Sequence, residues 1–342
     1  MTTKISIIGS GFGMYGLLPA FSKINDCKVV SICGKNSDRM MKFCKKFHIN
    51  HYINWKEMLE KEKPNAVAIA IIPIYQYEIA KYALENGIAV FAEKPLTASY
   101  ETSLELCNLA NDTGLPNMMD FIFPEIPEWR EAKKILDDGL INQIKNISVN
   151  WTFLSYELKH NITSWKSEIQ KGGGAISFYF SHVFYYLEYF LGKINNLNCE
   201  FSSSNFSNRE NSMINVIVSF ENGITGNISL DISSSKEQNH IIKFNDKNIQ
   251  MILKNISNNH FENFELILND ERKTKKQSLT KKPHFSIDDE FDDSRVNLVE
   301  SIANRFIHWC NTGKPSKPDF NDGLRVQKLI EKARNSKGNL IE

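Results

Sequence analysis

Lys94, in the segment Glu93-Lys94-Pro95, is a residue whose type and place suggest chemistry, because it follows the apolar run Ile88-Ala89-Val90-Phe91-Ala92. Such a run reads as a buried strand, so the amine stands at its carboxyl end, where open parallel sheets bind their ligands. A second segment, Gly9-Ser10-Gly11-Phe12-Gly13, closes the apolar run Ile5–Ile8 and opens a helical pattern. Strand, glycine turn and helix together aim backbone N–H groups and a helix N-terminus at a pyrophosphate. A dinucleotide site and an ionisable amine in one crevice point to redox chemistry. Moving a hydride between a carbinol carbon and a nicotinamide also moves the hydroxyl proton. A positioned acid/base contributes about 10²–10⁴-fold to that step, and a desolvated amine near a cationic ring gives up its proton more readily.

The chain after the second apolar run, Lys28–Cys33, reads Gly34-Lys35-Asn36-Ser37-Asp38-Arg39. An NAD site places Asp or Glu here, against the adenosine ribose hydroxyl. Without that carboxylate a 2′-phosphate meets no repulsion, and Lys35, Ser37 and Arg39 can bind it. NADP(H) is therefore expected over NAD(H). Asp38 keeps NAD(H) open as the alternative, since it is also a carboxylate suited to a helix N-terminus. Met14 holds the third fingerprint position, which predicts a helix set slightly further from the sheet than the tightest versions allow.

These residues need a scaffold. Up to about residue 123, short apolar runs (4–9, 28–33, 66–72, 88–92, 117–122) alternate with helical patterns (13–24, 37–47, 55–62, 75–86, 99–113). That rhythm predicts a parallel sheet wrapped by helices. From 144 the runs lengthen and take a period of two, as in 147–154, 214–220, 224–232 and 264–268, which predicts one larger, mostly antiparallel sheet. Helical patterns recur at 125–138, 175–191, 295–312 and 321–335, and the charged segment 269–294 reads as a solvated loop. The expected fold class is α/β, with domains at 1–123 and 124–342. At 342 residues two domains are the natural division. With 41 basic and 40 acidic side chains the formal net charge is +1, so no polyanion partner is indicated. No apolar run is long enough to span a bilayer. Six scattered cysteines without a Cys-x-x-Cys pair favour reduced thiols and a cytoplasmic location. His160, His240, His260, His284 and His308 lack ligand spacing, so no metal is assigned.

Taken together, Gly9–Gly13, Ile72-Pro73-Ile74-Tyr75-Gln76-Tyr77 and Ala92-Glu93-Lys94-Pro95 resemble the Gfo/Idh/MocA oxidoreductases. So do Gly172-Gly173-Gly174-Ala175, with His182 eight residues past Gly174, and Pro318-Asp319-Phe320-Asn321-Asp322-Gly323-Leu324-Arg325. The resemblance covers nearly the whole chain. It implies an N-terminal Rossmann domain with a parallel sheet. A C-terminal α+β domain with a large, mostly antiparallel, open-faced sheet would follow, and homo-oligomers would form through that sheet. It also implies hydride transfer between NAD(P) and a sugar, cyclitol or nucleotide sugar. Lys94 and His182 would be catalytic. Gly9, Gly11, Phe12, Gly13, Gly34, Lys35, Asn36, Ser37, Arg39, Ile72, Pro73, Tyr77, Glu93 and Lys94 would hold the cofactor. Neither nucleic acid nor membrane is an expected partner.

Departures from the family pattern accompany the match. Phe178 stands where an Asp usually precedes the helical His by four residues, Phe180 replaces a frequent glycine, and Tyr185 a later Asp. Tyr77 replaces a common His, and Pro124 stands where many relatives have an Arg. Tyr179 and Tyr186 share a helical face with His182 and would either hold a sugar ring or belong to the core. Trp165 would either pack on a sugar or anchor its loop. The missing carboxylate leaves a second reading open, that of a catalytically impaired regulatory protein with a dinucleotide as its ligand.

Overall fold

A computed structural model describes residues 2–202, 212–270, 273–277 and 293–336. These fall into two compact units. The first contains 2–122, 168–173 and 293–328; the second contains 123–167, the described part of 174–284, and 329–336. The chain passes from the first unit to the second after Ile122 and returns to the first at 168–173 and again by residue 293.

In the first unit, β1 (Thr3–Ile8), β2 (Cys27–Cys33), β3 (Asn50–Tyr52), β4 (Ala66–Ile69), β5 (Ala89–Ala92) and β6 (Asn117–Met119) form one sheet. Their order is β3-β2-β1-β4-β5-β6, and every pairing is parallel. That is the doubly wound arrangement of dinucleotide-binding sheets. Val67, Ala68, Val90 and Phe91 are fully buried, as strands covered on both faces require. The connecting helices are α1 (Leu18–Ser22), α2 (Asp38–Phe47), α3 (Trp55–Glu62), α4 (Pro73–Glu85) and α5 (Tyr100–Thr113). Ser37, Asn54 and Ser99 cap the N-termini of α2, α3 and α5. The three-residue β3 was not expected; it is an edge strand too short for an alternating pattern.

The second unit carries α6 (Pro127–Asp137), α7 (Tyr156–His160) and α8 (Ser181–Leu191). Its sheet consists of β7 (Asn146–Thr152), β8 (Ile194–Ser202), β9 (Met213–Phe220), β10 (Thr225–Asp231), β11 (Asn239–Asn245), β12 (Ile249–Asn255), β13 (Glu265–Asp270) and β14 (Lys273–Gln277). The order is β14-β13-β12-β11-β7-β10-β9-β8. Among the described residues only β7 and β10 pair in parallel; the other pairings are antiparallel. One face is apolar and takes α6 and α8, whose Trp129 and Phe190 rings meet at 5.5 Å, with Phe190 5.1 Å from Phe244 of β11. On the other face β9 presents Met213, Asn215 and Ile217 to solvent. Lys273, Lys275 and Lys276 stand in β14, a correction to the solvated loop expected over 269–294. Lys281, Lys282, His284, Asp288, Asp289 and Asp292 lie outside the described residues.

α9 (Val296–Thr312) returns to the first unit, where Phe306 packs edge-on against Phe21 and Phe91. α10 (Phe320–Arg334) begins against β6, its Phe320 N–H donating to Asn117 Oδ1 at 2.8 Å. Among the described residues no helix is long and apolar enough to cross a membrane.

Candidate active site

The turn after β1 is shaped by backbone contacts that only glycine permits. Gly9 has φ +134°, and a Cβ there would lie 2.3 Å from the Ala70 carbonyl oxygen. Gly11 is exposed, with open space where its Cβ would be, so the turn's backbone is accessible to a bound group. Gly13 is buried, its would-be Cβ 3.3 Å from the Ile8 carbonyl oxygen. Gly13 thus supplies the close approach of helix to sheet one residue before the fingerprint position, and Met14 is 3% exposed inside the core. The expectation that Met14 holds the helix off the sheet does not apply. The helix opens with a π-helical turn, Gly13–Leu17, before α1. The Phe12 ring lies 5.8 Å from Tyr15, with the Arg295 guanidinium 4.2 Å from its centroid. Asp293 fixes Arg295 through Nε to Oδ1 at 2.9 Å and Nη2 to Oδ2 at 2.6 Å.

The β2 exit runs beside this turn. Gly34 packs so closely on Ser10 that a Cβ would meet Ser10 Cβ at 2.8 Å. Lys35, Asn36, Ser37 and Arg39 follow, all exposed. Ser37 Oγ accepts the Met40 N–H at 3.2 Å, which starts α2 and leaves the hydroxyl proton to be donated outward. The Arg39 guanidinium lies 5.7 Å from the Tyr15 ring centroid, on the helix that the glycine turn opens. The structure therefore brings the basic segment and the glycine turn together. It fits a dinucleotide: a backbone turn with open space over Gly11 among the described residues, and cationic donors at its rim.

At the end of β5, Glu93, Lys94 and Pro95 form a turn with a cis Lys94–Pro95 bond. Its shape is held by Gln76 of α4, fully buried, whose Nε2 donates to the carbonyls of Glu93 (2.6 Å), Pro95 (3.1 Å) and Leu96 (3.0 Å). The Lys94 N–H donates to Glu93 Oε2 at 3.2 Å. Ile72 precedes α4 and Pro73 begins it; a Cβ on Gly172 would lie 2.6 Å from Pro73 Cβ. The start of the glycine triplet is therefore packed on the same rim of the first unit. Tyr77 is not brought to that rim, for its Oη donates to Glu105 of α5 at 2.5 Å. Asp120, just past β6, donates its N–H to the Ala92 carbonyl at 2.9 Å and is 2% exposed. Burial pushes its carboxyl well above the usual carboxylate range, and the Glu93 charge adds to that. Of the three residues without an assigned role in the sequence, Gln76 lies in the Ile72–Tyr77 segment and Asp120 is an acid directly following a buried run, both usable signals; Arg295 has none.

In the second unit His182 lies in the first turn of α8, 8% exposed, its ring edge-on to Phe123 at 5.0 Å. A second π-helical turn, Ile176–Phe180, leads into α8. Such turns occur often at functional sites. Phe178, at the position of the missing carboxylate, lies 5.8 Å from Trp165, and Lys166 Nζ is 4.7 Å from its ring. Trp165, Phe178 and Tyr179 thus form a half-buried aromatic group one turn ahead of His182. Burial pushes the Tyr179 phenol up, so it is a hydrogen-bonding rather than an ionising group. Tyr186 requires correction as a substrate residue. Its ring is fully buried against Trp129 at 5.0 Å, and its Oη lies 3.3 Å from His240 Nε2. Its polar tip is used inside the core.

Residues 3–121 match the model of an oxidoreductase family with an NAD-binding Rossmann fold, and residues 133–339 match that family's C-terminal alpha/beta domain. An uncharacterized oxidoreductase of Synechocystis sp. is 31% identical over 194 residues, which cover 56% of this chain and 52% of that protein. A dTDP-3,4-didehydro-2,6-dideoxy-alpha-D-glucose 3-reductase of Actinomadura kijaniata is 29% identical over 150 residues, covering 44% of this chain and 45% of the other. These matches span about half the length of each curated relative. Among solved structures, a levoglucosan dehydrogenase in complex with NADH has the same fold, with a TM-score of 0.84 at 17% identity over 98% of this chain and 97% of that one. A 3-ketoreductase from Actinomadura kijaniata, in complex with NADP and TDP-benzene, gives 0.80 at 18% identity over 99% of both chains. With both of its domains matched in order, the chain belongs to the Gfo/Idh/MocA oxidoreductase family.

Proposed function

We propose that this protein is an NAD(P)-dependent oxidoreductase that moves a hydride to or from a hydroxyl or keto carbon of a sugar-like substrate. The observation that carries this reading is the placement of Lys94. It sits at the carboxyl end of β5, in a turn held by Gln76, on the same sheet edge as the open glycine turn after β1. When bound, the dinucleotide supplies or accepts the hydride. Lys94 gives the hydroxyl proton to, or takes it from, the reacting oxygen. His182 provides a second hydroxyl contact, an imidazole being able to donate or accept near neutral pH. Trp165 and Tyr179 offer rings for a sugar face. Lys35, Ser37 and Arg39 support NADP(H) as the preferred cofactor. The named relatives and structural neighbours that act on sugars or nucleotide sugars support the substrate class. The six cysteines, all free thiols, suit a reducing compartment such as the cytoplasm. The outer face of the second unit's sheet is the surface proposed for a homo-oligomer.

A panel of nucleotide sugars, free sugars and cyclitols, followed by nicotinamide absorbance with each cofactor, tests the reading. Lys94→Ala is expected to lower kcat by roughly 10²–10⁴-fold with dinucleotide affinity kept. Phe178, in place of a carboxylate, favours the second reading, a regulatory dinucleotide-binding protein. That reading replaces the first if no substrate turns over while the dinucleotide binds equally well to the wild type and to Lys94→Ala.

A further inference from the structure

Asp120 is a group at the reacting end of the first unit that the proposed proton transfer does not use. Its N–H bond to the Ala92 carbonyl sets it at the strand end beside the one that carries Glu93. The side chain is 2% exposed, and among the described residues no group donates a hydrogen bond to either carboxyl oxygen. An ionised carboxylate in such a place has lost its water and gained no donor, an unfavourable exchange. The charged groups that face it are Glu93 and Lys94 from the end of β5 and Arg295 from the turn before α9. Burial is the largest influence and favours the neutral acid; Glu93 acts in the same direction by its charge and by side-chain contact. Arg295 and Lys94 oppose this without cancelling it. A proton held between the two carboxyls supplies the donor that Asp120 lacks, while Glu93 keeps the Lys94 N–H.

We propose that Asp120 holds a proton at neutral pH, donates it as a hydrogen bond to Glu93, and so presents Lys94 with one negative charge from the pair instead of two. Two full carboxylates beside an amine lock it as the ammonium ion. A single one, opposed by Arg295, leaves Lys94 able to release and regain its proton. Asp120 is thus a positioning residue that acts through Lys94, and the inference rests on the role proposed for that lysine.

The test uses the full chain without cofactor or substrate, labelled with ¹³C at the aspartate carboxyl. The infrared difference between wild type and Asp120→Asn at neutral pH is expected to contain the carbonyl stretch of an un-ionised acid, absent in the variant. That band should disappear from the wild type at alkaline pH. A carboxylate band in its place at neutral pH overturns the proposal. Lys94 is then titrated by ¹³C NMR after reductive methylation, its signal assigned with Lys94→Ala. Because Asn mimics the neutral acid, Asp120→Asn should leave the proton affinity of Lys94 within about twofold; loss of an ionised Asp120 would lower it by about tenfold or more. Should Asp120→Asn fail to fold, Glu93→Gln replaces the charged acceptor of the proton with a weaker, neutral amide oxygen. The acid band must then move, and an unmoved band overturns the pairing. None of these signals depends on turnover, so an inactive protein would sink the enzyme reading and leave this one standing or falling by itself.

Discussion

Arg39 and Arg295 are two guanidinium groups at the glycine turn with different duties. Arg295 is tied to Asp293 through two of its nitrogens and lies over Phe12, so it braces the turn from behind. Arg39 is exposed over Tyr15 and remains available to a phosphate. A hydrogen bond to a charged group contributes about 1.5–3 kcal/mol, so Arg39→Ala should raise the KM for NADPH roughly 10-fold or more. The KM for NADH should barely change, since it has no 2′-phosphate. Steady-state kinetics with both cofactors decides the matter, and an equal loss for the two would remove Arg39 from the phosphate site. His240 is a buried residue of another kind. Burial pushes its imidazole well below the ordinary histidine range, with His260 adding to the effect, and it stacks on Trp151 at 4.6 Å. Folding therefore keeps it neutral while the unfolded chain takes up a proton below about pH 6.5. Stability is full above that value and falls with acidification, by up to about 1.4 kcal/mol per pH unit for one such group. Urea denaturation of His240→Gln between pH 7 and 5 should show a shallower acid slope than the wild type; an unchanged slope would mean His240 is not the group responsible.

The β5–α4 pairing is the element on which the proposed reacting end depends. Gln76 satisfies three carbonyls of the Glu93–Leu96 turn from inside the helix start, and Ile72 and Pro73 fix where that helix begins. Gln76→Ala leaves buried carbonyls without a donor, at a cost of about 1–3 kcal/mol. It should lower kcat while dinucleotide affinity stays near the wild-type value, because the glycine turn is built from β1 and β4 instead. A matched loss of cofactor affinity would show that the variant disturbs the whole sheet. The parallel strands were legible in the sequence because burial on both faces makes them continuous apolar runs. Several strands of the second unit were not. β8, β11 and β12 place Asn, Gln and Lys on an outward face, as in Asn196, Asn198, Lys243, Gln250 and Lys254, and such residues read as loops until a neighbouring strand pairs with them.

At the scale of the molecule, the two units have separate cores, one a helix-wrapped parallel sheet and the other an aromatic cluster around Phe123 and Trp129. A dinucleotide is expected to act on the first. At 100 times its dissociation constant a ligand adds about 2.7 kcal/mol to the state that binds it. Calorimetry should therefore show NADPH raising the transition of the first unit. Acidification toward pH 5 should lower the transition of the second, where His240 and His260 lie. If acid shifted only the transition that the cofactor raises, His240 would not be governing the stability of its own unit.

Local order along the chain was enough to specify the alternation of strands and helices to residue 122, the glycine turn with its exposed basic neighbours, and the lysine at a strand end. Each of these is written in consecutive residues. Contacts between distant residues were decided by the tertiary structure alone. It returned 293–328 to the first unit, spent Tyr77 on α5 and Tyr186 on His240, and placed Gln76 under three carbonyls. It also set a buried carboxyl beside Glu93. The physical reason is that burial and hydrogen-bond partnership are properties of neighbours in space, and a side chain's type does not say which neighbours it will have.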